Sequence, residues 1–251
     1  MIKTFDLISN SDVTIRKALA SFVQKDRVYK NNYLQANYKK AFDGYSFIGQ
    51  KDSLNQYDTD MLHSFVLSDF QEVEHFPKEF HPFLKNEWKP LIKRIKALEL
   101  ASIKKLNNSI LEQLYKDDVI GYMMSCNYYP KPLKYSAFAK NNTRLSAHKD
   151  VSLFTTFPFG IANGLSFFNE EKNRVAVGEK NTIIQFSGYF LEFVSQHKIK
   201  ALEHQVNLPK DLNTERYSFA IFSIPKPNIS FWLGNKKIES NNYYKKYLSL
   251  F

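Results

Sequence analysis

From Gly121 onward the chain is a succession of short β-rich runs divided by turn signals, and this limits its fold more tightly than any other feature of the sequence. The runs are Tyr122 to Tyr128, Ser152 to Phe157, Leu165 to Phe168, Arg174 to Val177, Thr182 to Phe186, Ala201 to Val206 and Tyr217 to Ile224. Pro158, Asn163-Gly164, Asn169, Gly178, Gly188, Pro209, Pro225 and Pro227 separate them. Several short strands at this spacing predict an all-β barrel or sandwich.

The preceding residues read mainly as helix. Ile2 to Leu7 alternates weakly and fits a short strand. Asn10 or Ser11 suits an N-cap, and behind it Ile15, Ala18, Leu19, Phe22 and Val23 share one helical face. Leu91, Ile95, Leu98, Leu106, Ile110 and Leu114 follow a 3.6-residue period, with Pro90 in an early turn and a break or bend at Asn107-Asn108. The organisation expected is a mainly helical region over 1–120 packed outside a β core over 121–235, with a C-terminal tail, 236–251, packed on that core.

Composition narrows the functional classes. With 251 residues and 43% hydrophobic content, the chain is long enough for one sizeable core. Its single cysteine, Cys126, forms no internal disulfide, and the sequence reads as that of a reducing, cytoplasmic compartment. The first residues lack the apolar run of a signal peptide, and no stretch approaches the roughly 18 apolar residues of a spanning helix. The net charge of +10 favours an anionic partner in principle. The lysines are scattered, as at Lys104-Lys105, Lys236-Lys237 and Lys245-Lys246, and form no dense block, so neither nucleic acid nor membrane is the expected partner.

The most informative triplet is His148-Lys149-Asp150. On a strand, residues two apart point to one face, so an imidazole and a carboxylate project together. His204, on a later strand-like run, offers the third ligand. Two histidines and one carboxylate on one face of an octahedron form the ligand set of non-haem iron(II) oxygenases, with open positions for cosubstrate and oxygen. A three-ligand zinc site is the other candidate, and the long gap to His204 fits iron better. His63, His75, His81 and His197 read as ordinary polar residues, His197 in a turn. Arg216 and Ser218 share a face on the last strong strand. A guanidinium forks onto a carboxylate and a neighbouring hydroxyl adds a third bond, which suits the far carboxylate of a dicarboxylate.

Together these residues resemble the iron(II)/2-oxoglutarate oxygenases related to isopenicillin N synthase and the plant 2-oxoglutarate dioxygenases. His148 to Thr155 resembles that family's first metal motif, and Asn127-Tyr128-Tyr129-Pro130 the segment before it. Gly188 to Glu192 sits where the family has a turn and strand. Glu203-His204-Gln205-Val206 resembles the second metal histidine's strand, and Arg216-Tyr217-Ser218 the cosubstrate anchor. Gly44-Tyr45, the acidic stretch near Asp58 and Asp60, and the helix from about Pro82 are fainter echoes.

The resemblance implies a double-stranded β-helix (a jelly roll, cupin-like) with helices outside. It implies Fe(II) on His148, Asp150 and His204, and 2-oxoglutarate on Arg216 and Ser218, with Tyr129 and Asn127 helping to orient that cosubstrate or the substrate. It also implies dioxygen, ascorbate as a candidate reductant, and hydroxylation or desaturation of a small organic molecule with release of succinate and carbon dioxide. The family's Asn-Gly before the second histidine is Gln196-His197 here. Phe154, Phe157, Phe159, Phe167 and Phe168 are candidates for pocket lining and better candidates for barrel core. Two other readings stay open: a relative that uses no oxoacid, like isopenicillin N synthase or aminocyclopropane carboxylate oxidase, and a basic β-barrel binding module. The module's best feature is Tyr243 to Tyr247, which reads better as a tail helix packed on the barrel. Substrate and oligomeric state are not legible.

Overall fold

A computed structural model describes residues 1–6, 11–38, 42–48, 60–132, 143–169, 171–175 and 182–250. In chain order the N-terminal elements are β1 (Ile2–Asp6), α1 (Val13–Val23), α2 (Arg27–Asn31), β2 (Gly44–Ser46), β3 (His63–Ser68), α3 (His81–Asn86), α4 (Trp88–Leu106) and α5 (Ser109–Lys116). Strands β4 (Ile120–Tyr129), β5 (Thr143–Lys149), β6 (Phe154–Phe157), β7 (Leu165–Phe168), β8 (Arg174–Val175) and β9 (Thr182–Ser187) follow. The chain closes with α6 (Tyr189–Val194), β10 (Glu203–Asn207), β11 (Arg216–Pro225), β12 (Ser230–Leu233), β13 (Lys236–Glu239) and α7 (Ser240–Leu248).

A seven-stranded sheet runs β1-β9-β6-β11-β4-β3-β2 and a four-stranded sheet runs β5-β10-β7-β8, with antiparallel pairing throughout. Each sheet has one face to bury, and two cores result. Tyr129, Phe157, Leu165, Phe167, Ile184, Phe186, Leu202, Val206 and Ala220, drawn from both sheets, form one of them. Phe65, Leu67, Met124, Phe219 and Ile221 of the large sheet pack with residues of α1, α3, α4, α5 and α7 in the other. In the middle of β11, Phe219 and Ile221 serve one core and Ala220 between them the other, as a period of two requires.

The helices follow their sequence patterns. Ile15, Ala18, Leu19 and Phe22 of α1 are buried; the N-cap is Asp12 and not the expected Asn10 or Ser11, although the Ser11 hydroxyl accepts from Val13 N at 3.2 Å. Asn10 lies outside the described residues. The stripe from Leu91 to Leu114 is divided in two: Asn107 adopts a left-handed conformation (φ 49°), and Asn108 Oδ1 caps α5 by accepting from Ile110 N and Leu111 N.

Three differences from the sequence reading stand out. Within the first 120 residues, the short strand expected near the N-terminus, β1, is joined by two that were not expected, β2 and β3, and all three are built into the large sheet. Residues 189–194 form a helix where the family resemblance implied a strand. Its N-cap, Gly188, lies so close to Ser152 that an added Cβ would meet the Ser152 carbonyl oxygen at 2.3 Å. The 236–251 tail carries a strand as well as the expected helix. Tyr243, Tyr244 and Tyr247 of α7 are buried, with their hydroxyls on the carbonyls of Val151, Pro225 and Lys149.

Candidate active site

His148 and His204 face each other across the β5–β10 pair, and Asp150 follows one residue beyond the end of β5. One ligand atom from each of these residues lies within 4.8 Å of the others, the one such cluster of potential metal ligands found among the described residues. Asp150 Oδ1 stands 3.3 Å from His148 Nε2 and 3.6 Å from His204 Nε2. The other nitrogens are turned outward: His148 Nδ1 donates to Ser146 O at 2.8 Å, and His204 Nδ1 to Leu202 O at 3.4 Å. Thr155 Oγ1 donates to Asp150 Oδ2 at 2.7 Å, and its hydroxyl also bonds Ser152 Oγ at 2.7 Å. Two Nε2 atoms and one carboxylate oxygen therefore converge, each oriented by a second hydrogen bond, as metal ligands require. His204 also packs edge-on against Phe186, 5.1 Å away.

Electrostatics suit a cation. Burial would raise the Asp150 carboxyl, but His204, His148 and the Thr155 hydroxyl outweigh it and hold Asp150 below the usual carboxylate range. Burial pushes His204 down to about 4, so its imidazole is neutral and ready to ligate. His148 moves the other way: burial opposes its proton, and the bond to Asp150 prevails and raises it. The donor set fits Fe(II), and the residues that would hold it are His148, Asp150 and His204.

The cavity beside this cluster runs to Arg216, Ser218, Tyr129 and Asn127. Arg216 pairs with Tyr129 across β11–β4, and Ser218 with Asn127. The Arg216 guanidinium lies 4.7 Å from the centre of the Tyr129 ring, and its Nε donates to Asn163 O at 3.0 Å. Its Nη1 and Nη2 are buried and have no hydrogen-bond partner among the described residues. A buried fork of N–H donors left unsatisfied is costly without a ligand, and a carboxylate is the group that matches its geometry.

Residues 120–225 match the model of the 2OG-Fe(II) oxygenase superfamily. The chain carries a 2OG-Fe(II) oxygenase domain. As such, it is a non-haem iron, 2-oxoglutarate-dependent dioxygenase with a double-stranded β-helix core. The match is to the superfamily and does not single out the isopenicillin N synthase-like branch. No curated protein matches the chain. Three solved structures share the oxygenase fold. A full-length Neurospora crassa protein in complex with alpha-KG is 18% identical, covering 99% of this chain and 86% of its own, with a TM-score of 0.71. JOX2 in complex with 2OG, Fe and JA is 18% identical, covering 98% and 77%, at 0.70. A rice dioxygenase for auxin oxidation is 14% identical, covering 95% and 81%, at 0.62.

The other nominated residues are dispersed. His197 sits in the turn after α6 with φ 63°, its Nδ1 3.0 Å from Glu192 Oε1, away from the cluster. Gln196 also has positive φ, 53°. An Asn-Gly pair would suit two left-handed residues, and here His197 N donates to Glu192 O at 2.8 Å within this turn. His63 bonds Tyr45 OH at 2.8 Å, and His81 bonds Phe76 O. Of the five phenylalanines, Phe157 lines the cavity, while Phe154 and Phe167 are fully buried. Asp58 lies outside the described residues.

Sequence reasoning missed the supports. Thr155 belongs to the first metal motif and was legible there. Glu192 was not: it accepts from Lys149 Nζ at 3.1 Å and Ala201 N at 2.9 Å, tying together the segments that carry the two histidines. Tyr247 lines the cavity and donates to Lys149 O at 2.9 Å. No helix of the described residues is long and apolar enough to cross a membrane.

Proposed function

We propose that His148, Asp150 and His204 hold the iron, that Arg216 and Ser218 grip the distal carboxylate of 2-oxoglutarate beside Tyr129 and Asn127, and that the domain hydroxylates or desaturates a small organic molecule. The observation that carries this reading is a ligand cluster within 4.8 Å in a cavity that is also lined by Arg216, two of whose nitrogens have no hydrogen-bond partner among the described residues. When bound, the iron and its oxoacid supply the oxidising chemistry. The protein's own part is placement. Outward-facing Nδ1–H bonds keep both Nε2 atoms on the metal side, Thr155 steadies Asp150, and Phe167 and Phe186 pack against the His204 ring.

The same cavity offers a wall for the prime substrate. Ser46 and Ser64 of β2 and β3 line it and continue, in register, the row that Asn127 and Ser218 begin at the oxoacid's anchor. Val66, Met123, Ala220 and Phe222 lie beside this hydroxyl and amide row. Such a surface suits a small, partly apolar molecule that hydrogen-bonds through neutral groups. The Neurospora crassa relative, solved with alpha-KG and thymine, supports a small-molecule substrate. A cytoplasmic setting, with neither nucleic acid nor membrane as partner, belongs to the same reading.

The test is succinate release from 2-oxoglutarate by Fe(II)-reconstituted protein, screened against neutral metabolites. Wild type should release succinate, faster with its substrate, and Asp150→Ala should not, while keeping its circular dichroism. Wild-type succinate release from Asp150→Ala would refute the ligand assignment. Oxygen uptake without consumption of 2-oxoglutarate would favour the oxoacid-independent relatives.

A further inference from the structure

The strand bearing His148 is bulged directly before it. Across β10–β5, His204 faces His148 and Val206 faces Leu145, so Gln205 opposes two residues, Ser146 and Ala147. As a result Leu145 and His148, three apart, both line the cavity, which an unbroken period of two forbids. A bulge also takes backbone groups out of the ladder, and these need other partners.

The N–H of the bulged Ser146 is taken by a side chain from far away in the sequence. Asp60 Oδ1 accepts from Ser146 N and from Ser146 Oγ, each at 3.0 Å. Asp60 is 4% exposed, and its neighbour Met61 donates its backbone N–H to Arg144 O at 2.9 Å, which seats this segment along the edge of β5. The carbonyl of the same Ser146 accepts from His148 Nδ1 at 2.8 Å.

We propose that Asp60 is a positioning residue for the metal ligand His148. By clamping the bulge at Ser146 it aims that carbonyl at Nδ1, and this turns Nε2 toward Asp150 and His204. The proposal rests on reading those three residues as the metal ligands. A carboxylate suits the task because it takes two donors on one oxygen, and its bonds to N–H and O–H groups are charge-assisted. The amide oxygen of an asparagine can accept the same two bonds, whereas an alanine accepts neither.

The experiment measures Co(II) affinity and the visible absorption of the Co(II) protein, with the full chain and without turnover. Wild type should bind one Co(II) and His148→Ala should lose it. Failure there overturns the ligand reading, and the clamp with it. Against a binding wild type, Asp60→Ala should weaken Co(II) by about 10–100-fold, the cost typical of losing an outer-shell partner, and shift the spectrum. Asp60→Asn should restore affinity to within about threefold, which a general loss of packing or charge would not allow. Wild-type affinity and spectrum in Asp60→Ala overturn the clamp alone. Should Asp60→Ala not fold, amide hydrogen exchange of the wild type decides. The Ser146 N–H, which donates to Asp60, must be protected, and fast exchange there overturns the proposal.

Discussion

Replacing Arg216 by glutamine separates a ligand-binding cation from a structural one. The side chain is 6% exposed, and two of its three nitrogens have no hydrogen-bond partner among the described residues. Each charge-assisted bond these make to a carboxylate contributes about 1.5–3 kcal/mol. Two such bonds, partly replaced by one amide donor, correspond to roughly a 100- to 1000-fold loss of 2-oxoglutarate affinity. Stability should respond quite differently. Without the oxoacid, the buried guanidinium carries a desolvation cost of about 1–3 kcal/mol, and burial holds its pKa down. Its contact with Tyr129 and its bond to Asn163 offset about as much. Arg216→Gln should therefore unfold in urea within about 1 kcal/mol of wild type when metal and oxoacid are absent. Calorimetric titration of 2-oxoglutarate into Mn(II)-loaded protein supplies the affinity. A variant that binds the oxoacid nearly as well as wild type, but has lost several kcal/mol of stability, would make Arg216 a structural ion and refute the reasoning.

Three further perturbations test the scaffold. Glu99 lies in the core and accepts from the Tyr115 and Tyr122 hydroxyls at 2.8 Å each, and burial pushes its carboxyl up to about 7. The stability this gives is present below the ordinary value of 4.5 and is lost as pH rises through 7. Melting between pH 5 and 8 should show wild type losing up to about 3 kcal/mol at this group, a loss that Glu99→Gln escapes. Glu192→Ala strands the Ala201 N–H and Lys149 and should cost about 1–3 kcal/mol in urea unfolding; no change would show that the tie between the two histidine segments is idle. Gln196→Asn, at φ 53°, should gain a few tenths to about 1 kcal/mol, because asparagine tolerates the left-handed region better.

The sequence made some parts of the molecule readable and hid others, for physical reasons. Strands β6, β7, β9, β10 and β11 stand out because turn residues bracket short apolar or alternating runs. The split between α4 and α5 was visible in Asn107-Asn108, since asparagine serves both as a left-handed cap and as an N-cap. Strand β3 was silent because five of its six residues, Ser64 to Ser68, are buried, so no alternation marks it. Residues 189–194 are a short apolar run, which periodicity alone assigns to neither helix nor strand. At the site, ligands and anchor are written as local patterns, His-x-Asp and Arg-x-Ser. The clamp is not. Asp60 and Ser146 are 86 positions apart, and their bond depends on a bulge that no residue of Thr143 to Lys149 announces.

The pairing of β1 with β9 and of β3 with β4 bears on the stretch recognised as the oxygenase family. Residues 120–225 contain β9 and β4 but neither of those partners. Cut out alone, the segment would bare the hydrogen-bonding sides of two largely buried strands, which are templates for pairing with other copies. The unit with its sheet edges paired is thus larger than the stretch the family model matches. Anyone seeking a minimal catalyst should shorten surface loops and leave the first 68 residues in place.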